Sequence, residues 1–190
     1  AEALIFVGAA GIAVRSVAPH LVSKARDPAV VVVDELGRFA VPILSGHLGG
    51  ANDLAREIAG LLGGQAVLTT ATDARGIFAF DQWARRLGCA IPDPEKIRPV
   101  ASRMLAGGTA AFWSQWPVAG ECPSGVVPAG QEAAQVQLTI RDTPEPALKL
   151  VPRIVWAGIG CRRGVPAERL EAALRSGLEA AGLHPAALAG

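Results

Sequence analysis

The sequence predicts an α/β fold: a layered mixed sheet with helices in an N-terminal domain, a small irregular middle region, and the start of a second α/β domain. Three observations carry this. Strand-like runs alternate with helical patterns in β-turn-α-β order over the first 70 or so residues, which is the signature of an α/β layer. The run AVVVVD, the turn DELG and RFAVPIL read as a hairpin. A second strand, Gly-rich loop and helix follow at RIVWAGIG and PAERLEAALRSGLEAAG.

Taken in order, residues 3 to 8 read as a buried strand, and 10 to 22 as a helix ending near Pro19 and His20. Gly37 supplies the positive φ that closes the hairpin. Pro42 cannot donate to a ladder, which pushes its strand toward a sheet edge or its own end. NDLAREIAGLL, residues 52 to 62, places Leu54, Ile58, Leu61 and Leu62 on one face, with Asn52 as a cap and Gly63-Gly64 as the stop. QAVLTT then reads as a strand and ATDARG as a loop. From about residue 76 the texture changes: FDQWARRLGC and PEKIRPVASRMLAGG are helical, AAFW is a short strand, and 116 to 152 is Pro- and Gly-rich with one strand at AQVQLTI. Pro166 suits a first helical turn. The expected divisions are therefore 1–75, 76–150 and 151–190.

Composition narrows the function classes. The chain has 190 residues, 51% of them apolar, and a net charge of +1, enough for one sizeable core or two small ones. Near-neutral balance without a Lys/Arg cluster argues against nucleic acid. The longest apolar run, ALIFVGAAGIAV, is too short to span a bilayer, and it lacks a signal peptide's basic start. Three widely spaced cysteines, Cys89, Cys122 and Cys161, support neither a disulfide framework nor a zinc site, so a reducing cytoplasm and no resident metal are expected. The chain begins without Met in a strand-like run and stops after a helix, as a fragment would.

The barest stretch is SGHLGGAN, residues 45 to 52. Gly46, Gly49 and Gly50 strip Cβ atoms where a strand becomes a helix, and the first helical amides there are expected to face outward as anion-binding donors. A tight turn alone would also explain the glycines. Ser45 and His47, two apart, project to one side in extended geometry, where a neutral imidazole could activate water and the hydroxyl could bind or attack a carbonyl. No third orienting residue is fixed by spacing. TTATDARG follows a strand, and ligands collect at the carboxyl ends of strands in open sheets; Thr69, Thr70 and Thr72 offer hydroxyls, Asp73 a carboxylate, and Arg75 a fork that grips carboxylates. A capped surface loop explains the same residues equally well. GIGCRRG, residues 158 to 164, lies near a dinucleotide fingerprint, with Arg162 and Arg163 suited to phosphates or carboxylates; a nucleotide-binding oxidoreductase domain is the reading it suggests.

Together GAAGIAVRSVAPHL, DPAVVVVDELGRFAVPILSGHLGGANDLAREIA, LTTATDARG and IVWAGIGCRRG resemble the cobalt-precorrin-5A hydrolase family of anaerobic cobalamin biosynthesis. The resemblance implies an enzyme that opens the δ-lactone of a cobalt-corrinoid intermediate and releases a two-carbon unit as acetaldehyde, giving cobalt-precorrin-5B. It implies an N-terminal α/β domain, a middle region and a C-terminal domain, of which this chain lacks the first segment and most of the last. No cofactor is implied, since the cobalt arrives on the substrate. Such chemistry needs an activated water or nucleophile and donors for the oxyanion. His47, Ser45 and Asp73 are the catalytic candidates. Gly46, Gly49, Gly50, Asn52, Thr70, Thr72, Arg15, Lys24, Arg75, Arg162 and Arg163 are the substrate-binding ones, the cations for a carboxylate-rich substrate. The expected partner is the small-molecule corrinoid, with room for a homo-oligomer or contact with other cobalamin-pathway enzymes and none for nucleic acid or membrane. The alternative is a non-catalytic module that binds or carries the corrinoid intermediate.

Overall fold

The computed structural model describes residues 3–23, 26–144 and 146–190. The chain gathers into two compact units, Ala1–Arg85 and Arg86–Gly190.

The first unit is built on a four-stranded mixed sheet in the order β1 (Ala3–Val7), β2 (Ala29–Val33), β3 (Phe39–Leu44), β4 (Gln65–Ala66). β1 and β2 run parallel, β2 and β3 antiparallel, β3 and β4 parallel. Helix α1 (Ala10–Val17) makes the first crossover and ends in a single 3-10 turn, Ala18–His20. Flanked on both sides, β2 is buried at every position, which is why its sequence is an unbroken apolar run with no alternation. The hairpin closes as expected: Gly37 sits at φ 68°, and its amide donates to Asp34 O at 2.9 Å. β1 differs from its reading as a buried strand. It lies at the sheet edge, with Ile5 54% and Val7 74% exposed.

Pro42 sits in a strand with a partner on each side in the sheet order. It pairs with Val31 of β2 beside a register shift, and β4 reaches only Phe39 and Ala40. The brevity of β4 thus leaves the missing N–H harmless, which is the local equivalent of an edge.

Helix α2 (Ala51–Leu62) follows β3 and ends at Gly63, φ 66°. Its buried face is small: Ala51, Asn52, Ala55 and Ala59, spaced by three and four residues. Ala51, Ala55 and Ala59 pack with Val31, Val33 and Ala40 of the sheet, while Leu54 and Ile58 lie against the margin of that core. Leu61 and Leu62, placed by the sequence on one face with Leu54 and Ile58, are 81% and 54% exposed. Alanines let the helix approach the sheet closely, so the bulky leucines are turned away from it. The strand expected at QAVLTT is confined to Gln65–Ala66, the expected loop ATDARG contains a one-turn helix, α3 (Ala71–Ala74), and α4 (Phe80–Arg86) follows.

The second unit holds a five-stranded sheet, β5 (Cys89–Ala90), β9 (Leu148–Pro152), β8 (Val136–Leu138), β6 (Ala110–Ser114) and β7 (Val126–Pro128), in that spatial order. All neighbours are parallel except β5 with β9. Helix α5 (Ile97–Leu105) precedes β6 and α6 (Ala167–Ala180) follows β9. The Pro- and Gly-rich stretch contains more sheet than its sequence announces: β7 and β8, of three residues each, are too short for alternation to register, and β9, buried at its first four positions, does not alternate and stands in place of the strand expected at RIVWAGIG. Pro166 caps α6 from outside its first turn.

The alanine face of α2 makes a direct prediction. Ala55→Leu, overpacking a site with no exposure, should cost about 1–3 kcal/mol, whereas Leu61→Ala should change stability by less than about 0.5 kcal/mol. Urea unfolding of the two variants measures both; equal losses would mean that the helix buries its leucine face.

Candidate functional site

The site is assembled where β3 ends and α2 begins. Ser45 takes φ 53°, the sole positive φ outside glycine among the described residues, and this kink ends the extended chain. The turn then closes on itself: the Gly50 amide donates to His47 O (3.0 Å), Ala51 to Ser45 O (3.1 Å) and Asn52 to Gly46 O (3.0 Å). These amides, expected to face a ligand, are spent on the loop's own carbonyls. The glycines are explained by the same compactness. A Cβ at Gly46 would stand 2.7 Å from Asn52 Oδ1, one at Gly49 2.3 Å from Ser45 Cβ, and one at Gly50 2.2 Å from the Arg85 guanidinium carbon, with Gly50 also at φ 82°. The chain is bare there because its own side chains pass through.

Folding of this turn holds His47 between two carboxylates. Its Nε2 lies 2.8 Å from Asp73 Oδ2 and its Nδ1 3.2 Å from Asp81 Oδ2, with the Thr72 hydroxyl 3.3 Å from Nε2. Asp73 stands on α3 and Asp81 on α4. Asp73 is held further by three groups: Thr70 Oγ1 donates to Oδ2 at 2.5 Å, Asn52 Nδ2 to Oδ2 at 2.8 Å, and Arg56 to Oδ1 at 2.5 Å. Arg56 also bonds Asp53 (3.0 Å), which takes Arg85 of α4 on its other oxygen (3.1 Å). The side chains of His47, Asp73 and Asp81 are 11%, 9% and 4% exposed.

Electrostatics follow from this geometry. A neutral imidazole carries one N–H, so two carboxylates at its two nitrogens are both satisfied only by the imidazolium. The hydrogen bond to Asp81 is the largest cause raising the His47 pKa, opposed by burial and assisted by Asp73. For Asp73 burial is the largest effect and favours the neutral acid, yet hydrogen bonds from Thr70, His47 and Arg56 outweigh it and bring the pKa to about 2. The neutral His47 expected to activate water is therefore the disfavoured form, and Asp73 is a poor base or nucleophile. The arrangement suits a fixed cation that can give up a proton.

Residues 1–73 match the family model described as cobalamin synthesis G N-terminal. The chain is 41% identical over 201 residues to the cobalt-precorrin-5A hydrolase of Salmonella typhimurium, covering 98% of this chain and 57% of that protein. The family match lies in the first 73 residues, and the likeness to this hydrolase runs along nearly the whole chain. The cobalt-precorrin-5A hydrolase of Priestia megaterium is 31% identical over 206 residues, covering 93% of this chain and 53% of that protein. A crystal structure of a cobalamin biosynthesis protein G homologue from Sulfolobus solfataricus matches with a TM-score of 0.50 and 25% identity, over 98% of this chain and 57% of that one. The family resemblance and the mixed α/β fold read from the sequence are both found. The chain spans little more than half the length of these relatives.

The expected residues fall into separate groups. His47, Asn52, Thr70, Thr72 and Asp73 meet in one cluster. Asn52 does not cap α2; Gly50 occupies that position, and the buried carboxamide instead reaches Thr70 and Asp73. Ser45 is turned away by its positive φ, and its hydroxyl donates to Asp27 O at 2.8 Å. Among the described residues no hydrogen bond joins Ser45 or Arg15 to His47. Arg15 is exposed at the end of α1, and Arg75 is exposed where α3 ends. Arg162 and Arg163 are exposed in the loop before α6 of the second unit. Lys24 lies outside the described residues. Sequence reading missed Asp81, Arg56, Asp53 and Arg85. Arg56 carried a signal, being one turn after Asn52 on the same helix; Asp81 carried none.

Opposite signs of shift fix a pH window. Asp73, lowered to about 2, stabilises the fold fully above its unfolded value of about 3.9 and progressively less as pH falls toward its folded value. His47, raised, stabilises it fully below about 6.5 and loses that contribution as pH rises through its folded value. The stability of the first unit should therefore peak between about pH 4 and 6.5. Chemical denaturation at stepped pH is expected to show this maximum, and His47→Gln to flatten the alkaline side; an unchanged alkaline slope would remove His47 from the balance.

Proposed function

We propose that this chain is part of a cobalt-precorrin-5A hydrolase. It would open the δ-lactone of cobalt-precorrin-5A and release acetaldehyde, leaving cobalt-precorrin-5B. The observation that carries the reading is the match to the Salmonella typhimurium enzyme over 98% of this chain, together with a buried His-carboxylate cluster beyond the end of β3. In such a reaction water adds across the ester: the acyl carbon keeps the new oxygen as a carboxylate, and the released ring oxygen takes a proton. That hydroxyl then gives up its proton as its oxygen becomes the aldehyde carbonyl, the carbon-carbon bond to the two-carbon unit breaks with its electron pair staying on the macrocycle, and a proton taken up there replaces the departing acetaldehyde.

His47 supplies the proton to the leaving oxygen in this reading, since the cluster favours the imidazolium. Asp73 anchors the ring and does not itself react. Arg15 and Arg75, exposed on the first unit, are the cations of that unit proposed for substrate carboxylates, since Arg56 and Arg85 are committed to Asp73 and Asp53; Arg162 and Arg163 are the candidates on the second unit. No resident cofactor is required, because the cobalt is carried by the substrate. A cytoplasmic setting agrees with three free cysteines and with the absence, among the described residues, of any helix long and apolar enough to cross a membrane.

The test is incubation of the purified full-length protein with cobalt-precorrin-5A, following substrate mass and trapping acetaldehyde. Loss of the two-carbon unit is expected; tight binding with unchanged mass would favour the carrier reading. His47→Ala should lower turnover about 10²–10⁴-fold, the range of acid–base catalysis, while Ser45→Ala, whose hydroxyl serves a backbone carbonyl, should keep most of it. With His47 as the acid, turnover falls as pH rises through its raised pKa; a rise over that range would make it a base.

A further inference from the structure

Asp73 and Asp81 touch the same imidazole but are not equivalent. Four groups donate to Asp73: Thr70, Asn52, Arg56 and His47. Arg56 brings a full positive charge to that carboxylate, so the negative charge of Asp73 is largely committed elsewhere. Asp81 takes the Gln82 amide on Oδ1 at 3.1 Å and His47 Nδ1 on Oδ2. It is the more deeply buried of the two, at 4% side-chain exposure. Among the described residues His47 is the cation paired with Asp81, and a carboxylate in a poorly solvated place acts most strongly on the cation beside it. Asp81 also lies beyond the residues matched by the family model, which end at Asp73.

We propose that Asp81 is a positioning residue for the reaction: from α4 it orients the His47 ring through Nδ1 and sets the proton occupancy of His47, while Asp73 serves as the fixed anchor on the Nε2 side. This deepens the hydrolase reading and rests on it for its catalytic meaning. The groups facing His47 are Asp73 and Thr72 from α3 and Asp81 from α4, with Arg56 and Asn52 of α2 and Thr70 acting through Asp73. Loss of the Asp81 charge leaves the ring opposite a carboxylate already neutralised by Arg56. His47 then titrates at lower pH, and a reaction that needs its proton loses activity at lower pH with it.

Two readouts on the full-length protein test this. NMR titration of the His47 ring in the wild type, Asp81→Asn and Asp81→Glu needs no substrate. The expected result is a midpoint above that of an unperturbed histidine in the wild type, lowered by one pH unit or more in Asp81→Asn, a tenfold or greater change in proton affinity, and recovered in Asp81→Glu. A midpoint unmoved by Asp81→Asn, in a variant whose amide spectrum shows it folded, overturns the proposal. Acetaldehyde release against pH is the second readout. Its alkaline limb is expected to move down with the NMR midpoint in Asp81→Asn, with kcat affected more than KM. A limb that stays in place while the midpoint moves overturns the positioning role. A wild type that releases no acetaldehyde overturns the hydrolase reading and with it the catalytic role, while the titration still decides whether Asp81 governs His47.

Discussion

The first unit is organised by a closed ring of alternating charge. Asp81 meets His47, His47 meets Asp73, Asp73 meets Arg56, Arg56 meets Asp53, and Asp53 meets Arg85, which stands one turn from Asp81 on the same helix. Three of these groups are carboxylates, two are guanidiniums, and the imidazole satisfies both of its carboxylate neighbours only when protonated. Burial of carboxylates is costly unless each is paired and hydrogen-bonded. Here each carboxylate has a paired partner, and the pairs join the β3–α2 turn, α2, α3 and α4.

That demand reaches back into the backbone. Asn52 must lie under the turn to reach Asp73, so Gly46 has no side chain. Arg85 must lie across the turn to reach Asp53, so Gly50 has none and adopts a left-handed conformation. Ser45 ends the strand with a positive φ, and its hydroxyl secures the kink on Asp27 O. One turn thus serves both the packing of α2 on the sheet and the placing of the imidazole. In this chain the Gly-rich turn is a structural necessity of the His47 cluster, and its glycines need no ligand to account for them.

The second unit follows a different economy. Short parallel strands bury apolar residues such as Leu148 and Leu150, and polar residues in the same strands are tied down locally. Gln137 donates to Gln131 O at 2.8 Å, Thr139 to Gln115 at 2.9 Å, and Lys149 reaches Thr143 O. Its exposed Arg162 and Arg163 lie on a Gly-rich loop before α6.

Local chemistry made much of the first unit readable. Val30 to Val33, the Gly37 turn, and Gly63 at the end of α2 each have one physical solution, and the sequence alone determined them. His47, Asp73 and the threonines could be singled out because they follow strands, where an open sheet exposes its chain ends. What the sequence could not decide was which side chains meet. Whether α2 buries alanines or leucines depends on how closely the sheet lets the helix approach, and the one-residue kink at Ser45 undid the extended spacing that seemed to pair it with His47. Asp81 is 34 residues from His47, on a helix with no distinguishing pattern, so only the folded chain brings its carboxylate to the ring. The charge state of His47, and so the chemistry open to it, is therefore a property of the tertiary structure.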